Sequence, residues 1–263
     1  MDYKILTEQV CAVAREAGEY LRREQYKLRE EQIVQKRAHD YVSYVDKTSE
    51  GMIVRRLQKL LPDAGFLTEE GTIASTSQAS YSWVIDPLDG TTNYVHGFNP
   101  FAVSIALRSE REILLGVVYE VTLDECFYAW QGGGAWLNGN AIQVKTDHQI
   151  GQAMLGLELP YDVENYTAKG QSLIRQFYGK CSGIRMNGSA AMGICNVAAG
   201  RWDGWVERYI KPWDFMAAAL IVTEAGGKVT NFAGSAMFLD GYDIVASNGT
   251  IHQDLLKAIE SLP

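Results

Sequence analysis

Apolar residues recur at helical spacing through the first 28 positions. Ile5, Leu6, Val10, Val13, Ala14, Ala17 and Leu21 share one stripe, which predicts an amphipathic helix. A second helix is expected over 46–61. Met52, Ile53, Leu57, Leu60 and Leu61 supply its apolar face, Asp46 or Ser49 is placed to cap it, and Pro62 lies just past its end. The period then shortens. Residues 64–67 and 82–86 are brief apolar runs, and each leads into acidic residues. Residues 101–107, 113–121 and 124–130 read as three successive strands with polar turns at 109–112 and around Thr122, and Gly132-Gly133-Gly134 ends the run. Neighbours this close in sequence pair antiparallel. Residues 152–159 are one more strand. Beyond them, helices over 163–178, 189–199, 213–225 and 250–261 alternate with strands over 182–186, 202–208, 227–231 and 243–247. Helices flanking two sheets give a mixed α/β fold. The expected unit is one domain, with subdomains over about 1–145 and 146–263 meeting near 136–151.

Composition narrows the classes. Of 263 residues, 47% are hydrophobic and 21% charged, as in an ordinary globular protein. A chain of this length buries about three quarters of its unfolded surface, so folding alone requires no metal or disulfide. The net charge of −8 argues against direct nucleic-acid binding, which needs a basic face. It leaves room for a small anionic substrate held through cations. No apolar run approaches the roughly 18–20 residues of a membrane span, and the first residues lack a leader pattern. The expectation is a cytoplasmic protein without membrane contact. Cys11, Cys126, Cys181 and Cys195 form no C-x-x-C pair and are expected as reduced, core-packed thiols.

The chemistry concentrates in Asp86-Pro87-Leu88-Asp89-Gly90-Thr91-Thr92-Asn93-Tyr94. Two carboxylates stand three residues apart where an apolar strand ends. Pro87 holds Asp86 extended, Gly90 permits a turn that a side chain resists, and Thr91 opens a short helix. Taken alone, this is also an ordinary turn, since Asp-Pro and Asp-Gly are common turn pairs. As chemistry, paired acids with free amides beside them suit a hard divalent cation and a phosphate. Thr68-Glu69-Glu70-Gly71 is a further acidic strand end. Trp213-Asp214 opens an apolar helix, where an aspartate is also an ordinary cap.

The segment 86–97 resembles the first signature of the inositol monophosphatase family, and 213–227 resembles the second. Glu69-Glu70 resembles the family's Gly-Glu-Glu element, with Thr68 in place of the glycine. Lys36 and the stretch Asp40-Tyr41-Val42-Ser43 to Asp46 resemble its upstream lysine and aspartates. The resemblance implies a layered α-β-α-β-α sandwich of the sugar-phosphatase type and a Mg²⁺-dependent, lithium-sensitive phosphomonoesterase that uses metal-activated water. It implies two or three Mg²⁺ per active site and a homodimer. Glu69, Asp86 and the Leu88 carbonyl would hold one ion, and Asp86, Asp89 and Asp214 a second. A third would sit near Glu69 through water, with Lys36 in that water network. The resemblance also implies that Thr91, Asp46 and Glu69 would form the catalytic set. Gly90 and Thr91 would bind phosphate. Asn93, Arg185, Gly188, Ser189, Ala190 and Glu207 would face the substrate's polyol or sugar.

The implied reaction converts inositol monophosphate to myo-inositol and phosphate. Related phosphatases of fructose 1,6-bisphosphate, histidinol phosphate or adenosine 3′,5′-bisphosphate are the enzymatic alternatives, because loops rather than metal ligands set specificity. The last of these enzymes usually reads Asp-Gly-Thr-Lys-Glu-Phe where this chain has Asp-Gly-Thr-Thr-Asn-Tyr. A regulatory binding protein of a transcription complex is the non-enzymatic alternative. Met192-Gly193 stands where bacterial relatives often have Leu-Asp, so any role of that acid is absent. His39, His148 and His252 are expected at the surface and His96 in a structural hydrogen bond.

Overall fold

The computed structural model describes residues 1–37, 40–73, 79–159, 163–236, 239 and 241–260. The side chains of 30, 35–37, 40–42 and 163–169 lie outside that description. Helix α1 (Tyr3–Gln25) starts where the Asp2 carboxylate accepts the Ile5 N–H at 3.1 Å. It stops before residue 28, because the next positions on its stripe are Glu24 and Gln25, which offer no apolar surface to bury. A hairpin of β1 (Ile33–Arg37) and β2 (Asp40–Ser43) leads into α2 (Tyr44–Leu60). The cap of α2 corrects the sequence expectation. Ser43 caps the helix by accepting the Val45 N–H, and Asp46 reaches back to accept the Ser43 N–H at 2.8 Å. Asp46 and Ser49 both lie inside the helix, buried.

Seven strands form the larger sheet in the order β3 (Gly65–Thr68), β4 (Ser82–Asp89), β5 (Ala102–Arg108), β6 (Ile113–Glu120), β7 (Glu125–Trp130), β8 (Ala135–Leu137) and β9 (Asn140–Ile142). Only β3 and β4 run parallel; the other neighbours pair antiparallel, as expected for the central run. The triple glycine turns the chain without ending the sheet. The Glu224 carboxylate accepts the Gly132 and Gly134 N–H groups at 2.8 and 2.9 Å, and β8 and β9 follow. Three-residue strands carry too few alternations to be read from sequence.

The smaller sheet runs β11 (Gly183–Arg185), β10 (Met154–Leu157), β12 (Gly204–Arg208), β14 (Asp243–Ser247), β13 (Lys228–Thr230). Its β10 is parallel to β11 and β12, and β14 is antiparallel to β12 and β13. Three apolar clusters cement five layers. Val10, Leu21, Ile53 and Leu57 of α1 and α2 meet Trp83, Ile85, Val103 and Val117 of the large sheet. The other face of that sheet meets α5 (Ala190–Ala198) and α6 (Pro212–Glu224), which also cover Trp205 and Ile244 of the small sheet. Leu173 and Phe177 of α4 (Val163–Phe177), with Leu255 and Ile259 of α7 (His252–Glu260), close the far side. This is the expected α-β-α-β-α sandwich. Helix α6 is apolar all round from Phe215 to Val222 because sheets lie on both sides. It approaches β6 so closely that a Cβ on Gly116 would lie 2.5 Å from the Ala217 carbonyl oxygen. Among the described residues no helix is long and apolar enough to cross a membrane.

Two histidines depart from the expectation. His148 is half-buried and pairs with Asp203 at 3.1 Å. His252 is 1% exposed, held between the hydroxyls of Thr230 at 2.9 Å and Ser247 at 2.8 Å. Those partners arrive from β13 and β14, so nothing local in sequence announces the burial. Burial, with Lys228 nearby, pushes the His252 imidazole down to about 4. A depressed histidine contributes stability that is fully present above the unfolded value near 6.5. It is lost as pH falls through 6.5 towards 4, because only the unfolded chain takes the proton. The unfolding free energy of wild type relative to His252→Gln should fall by up to about 3 kcal/mol across that window. Urea unfolding at a series of pH values reads it, and parallel curves for the two proteins would refute the assignment.

Candidate active site

Each acid of the site stands at the end of a buried element. Strand β4 pairs with β5 through Asp86, loses register over Pro87 and Leu88, and regains it at Asp89 opposite Ala102. Pro87 has no N–H for the ladder, so the strand bulges there. Asp86 is 2% exposed and accepts the Leu88 N–H at 2.9 Å; Asp89 is 8% exposed. Gly90 then adopts φ 89°, and a Cβ there would meet the Pro100 carbonyl at 2.9 Å and the Gly188 carbonyl at 3.2 Å. Only glycine lets these three backbone segments converge. The short helix α3 (Thr91–Val95) follows, as expected.

The Thr91 hydroxyl lies 3.3 Å from Asp46 Oδ1 on α2 and 3.0 Å from the Leu88 carbonyl. Threonine and aspartate, 45 residues apart, thus meet as the resemblance implies. The Leu88 carbonyl, expected to face a metal, receives this hydroxyl here. Glu69 follows β3, its N–H donating to the Ile85 carbonyl at 3.2 Å beside Asp86. Asp214 sits in the first turn of α6. It is not the cap: Lys211 occupies that position, and Asp214 Oδ2 accepts the Lys211 N–H at 2.7 Å. Ser104 of β5 fastens the same turn by donating its hydroxyl to the Trp213 carbonyl at 3.1 Å.

Electrostatics bring Glu69, Asp86, Asp89 and Asp214 into one cluster. Burial pushes Asp86 well above the usual carboxylate range, and repulsion from Glu69, Asp89 and Asp214 adds to it. Asp214 is raised by burial, then by Glu69 and Asp89. Asp89 is pushed up to about 6 by burial, against the opposing pull of its donors Ser189, Ala191 and Ala190. Among the described residues no three His, Cys, Asp or Glu side chains form a ready-made metal cage. Buried, mutually repelling oxygen donors without a closed cage fit a hard dication that keeps several of its waters. A surface hollow of about 320 Å³ lined by Glu16, Met52, Arg55 and Lys59 holds none of these residues.

The substrate side is tied to the same loop. Ser189 caps α5 and donates its hydroxyl to Asp89 Oδ2, which also accepts the Ala191 N–H at 3.0 Å. Ser189 and Ala190 therefore support Asp89. Asn93 Nδ2 donates to the Pro100 and Asn187 carbonyls at 2.8 and 2.7 Å, so it clamps the turn before Gly188. Glu207 accepts the Trp205 indole N–H at 3.1 Å, and burial beside Asp214 and Glu158 raises its carboxyl well above the usual range. Arg185 is exposed, donating to its neighbour's carbonyl at 2.9 Å. The Lys36 side chain lies outside the described residues, as does His39. His96 is exposed, and its structural bond is made by the backbone N–H to the Thr92 carbonyl at 3.2 Å.

Two acids escaped the sequence reading. Glu158 accepts the Gly188 N–H at 2.6 Å and so orients the 187–189 turn. Glu50 is fully buried on α2. It accepts the N–H groups of Glu70 and Thr72 at 2.7 Å each and the hydroxyls of Thr68 and Thr72 at 2.9 and 2.7 Å. It shapes the loop that carries Glu69. The signal was present: Asp46, Ser49 and Glu50 interrupt the apolar stripe of α2 at helical spacing. Glu50→Gln removes the charge and adds a donor among donors. It should cost about tenfold to a hundredfold in metal affinity or activity, as loss of such outer support does. A Mg²⁺ titration of activity checks this, and an unchanged curve would count against the role.

A layered α/β phosphatase is the class that this fold and this acidic cluster define. A model of the inositol monophosphatase family matches residues 2–263. An inositol-1-monophosphatase of Mesorhizobium japonicum is 36% identical over 94% of this chain and 93% of its own. A Nus factor SuhB of Pseudomonas aeruginosa is 39% identical, covering 94% of this chain and 93% of its own. Among solved structures, an extragenic suppressor protein suhB from Bartonella henselae superposes with TM-score 0.92 at 34% identity, covering 98% and 99% of the two chains. An IMPase of Thermotoga maritima superposes with TM-score 0.88 at 32% identity, covering 100% and 98%. The chain belongs to the inositol monophosphatase family.

Proposed function

We propose that this protein is a Mg²⁺-dependent phosphomonoesterase whose substrate is an inositol monophosphate. The observation that carries the reading is the burial of Asp86 and Asp89 against Glu69 and Asp214, with the Asp46–Thr91 pair beside them. Mg²⁺ bound to these acids would supply the positive charge that offsets their repulsion, polarises the phosphoryl group and lowers the pKa of water. Glu69, Asp86, the Leu88 carbonyl, Asp89 and Asp214 are its ligands in this reading, with two or three ions per site. The Thr91 hydroxyl, oriented by Asp46, positions the attacking water and takes part in removing its proton. The Gly90 and Thr91 N–H groups hold phosphate oxygens. The turn at Gly188, with Glu207, receives the ring hydroxyls. The same reading takes the working form as a lithium-sensitive cytoplasmic homodimer.

Phosphate release with Mg²⁺ from inositol 1-phosphate, fructose 1,6-bisphosphate, histidinol phosphate and adenosine 3′,5′-bisphosphate tests the proposal. Preference for inositol 1-phosphate supports it. Preference for another ester keeps the chemistry and overturns the substrate. Relatives called Nus factor SuhB supply the competing reading, a binding role without turnover, which the acid set disfavours.

Stability offers a second check. A carboxyl raised in the fold contributes stability that is fully present below its unfolded value. That contribution is lost as pH rises through the folded value, here from 3.8 to about 6 for Asp89. Metal binds the ionised acids and reverses the loss. Mg²⁺ should therefore raise Tm by several degrees near neutral pH and by much less near pH 4. Equal shifts at both pH values in a melting series would contradict a carboxylate site.

A further inference from the structure

Glu158 and Glu207 stand at neighbouring strand ends of the small sheet. Strands β10 and β12 run parallel, with Leu155 beside Gly204, Gly156 beside Trp205 and Leu157 beside Val206. One step further, this register sets Glu158 beside Glu207, at the strand spacing of about 4.8 Å. Alternation puts both side chains on one face. Leu155, Leu157 and Val206 pack towards α4 and α7, whereas Trp205 packs towards α5 and α6. A Cβ on Gly156 would lie 2.4 Å from the Trp205 ring, so Gly156 shares the Trp205 face. Glu158 and Glu207 follow two residues later on that face, where ligands bind at the C-terminal ends of parallel strands.

Both carboxyl groups are held in place. Trp205 Nε1 donates to Glu207 Oε2 at 3.1 Å, and Trp202 stacks on the Trp205 indole with ring centres 5.8 Å apart. The Gly188 N–H donates to Glu158 Oε1 at 2.6 Å. The next residue, Ser189, donates its hydroxyl to Asp89, so a single turn of backbone links Glu158 to the acidic cluster. Among the described residues neither Glu158 nor Glu207 has an ion-pair partner. Arg185 stands at the level of Gly156 on β11, but it is exposed and turns back to the Ile184 carbonyl at 2.9 Å. Burial raises the Glu158 carboxyl, while the N–H groups of Gly188, Asn187 and Leu159 pull it down. Ring hydroxyls can donate to two such acids. A phosphate dianion offers them only negative charge.

We propose that Glu158 is a specificity-determining residue: paired with Glu207, it makes the leaving-group side of the site anionic, so that the enzyme takes monoesters of uncharged polyols and rejects the same esters when they carry a second phosphate. The inference rests on the phosphomonoesterase reading above and names what that site refuses. Glu158 acts through its charge and through the Gly188 turn that it holds, without a share in the metal cluster. One carboxylate facing a phosphate dianion in partly wet surroundings is worth about tenfold against it. The same oxygens remain acceptors for a neutral ring.

The test compares kcat/KM for inositol 1-phosphate with that for loss of the 1-phosphate from inositol 1,4-bisphosphate, using the whole protein with saturating Mg²⁺. Wild type should prefer the monoester, and Glu158→Gln should cut that preference about tenfold. Glu158→Asp keeps the charge while loosening the Gly188 turn, so it should lose rate on both esters and keep the preference. If Glu158→Gln does not fold, the wild-type preference measured against ionic strength decides, and repulsion requires it to shrink as salt rises. An unchanged preference in Glu158→Gln overturns the proposal, as does equal relaxation in Glu158→Asp, which would assign the effect to turn geometry. Wild type that turns over both esters equally overturns it too. Release of phosphate from neither ester would instead sink the phosphomonoesterase reading. The affinities of the two esters, measured by calorimetry with Mg²⁺ for wild type and Glu158→Gln, would then decide the charge selection by the same tenfold criterion.

Discussion

Asp89→Asn is expected to lower phosphate release by about a thousandfold, the scale set by losing a preorganised charge at a phosphoryl-transfer site. The fold should survive. The amide has the same shape, and its oxygen still accepts from Ser189 and Ala191. The wild-type carboxylate is buried and raised to about 6, so near neutral pH the metal-free fold carries the cost of a charge without a counterion. Removing that charge leaves the metal-free Tm equal or higher, while the rise produced by Mg²⁺ shrinks or vanishes. Activity and metal response fall together while intrinsic stability does not. A variant that keeps wild-type turnover, or whose metal-free form melts far lower, would defeat the assignment of Asp89 as a ligand.

The second large effect is expected at Thr91. Thr91→Ala removes the hydroxyl between Asp46 and the Leu88 carbonyl and should reduce kcat by about 10²–10³-fold, the usual worth of a positioned proton-transfer group. KM should move little, because in the proposed reading the hydroxyl acts on water and other groups hold the substrate. Thr91→Ser, which keeps the hydroxyl, should restore most of the rate. Asp46→Asn alone should resemble Thr91→Ala, and the double variant should be little worse than either, since residues acting as a unit do not add. Additive losses in that cycle would separate the two residues and remove the pairing from the mechanism.

These residues were legible for different reasons. Asp86 and Asp89 could be read because the strand, the proline that bulges it and the glycine that turns it are contiguous. Asp214 could be read because an apolar run of unusual purity follows it, although its position inside the first turn could not. Asp46 and Thr91 were paired only through the family resemblance. Their contact depends on how α2 lies across β4, which no local pattern encodes. Glu50 was hidden by treating α2 as an apolar stripe, when its polar interruptions were the message. Ser43 was overlooked as the cap because the hydroxyl lies in β2, before the helical pattern begins. His252 looked like a surface residue because both hydroxyls that bury it belong to other strands.

Helix α6 lies between two sheets, packed along nearly its whole length, and Asp214 projects from its first turn. Most surface helices can fray or detach while the rest of a protein stays native. This one cannot leave without opening both sheets at once, so the acid it carries belongs to the molecule's most cooperative unit. As long as the two sheets remain joined, Asp214 keeps its place beside β4.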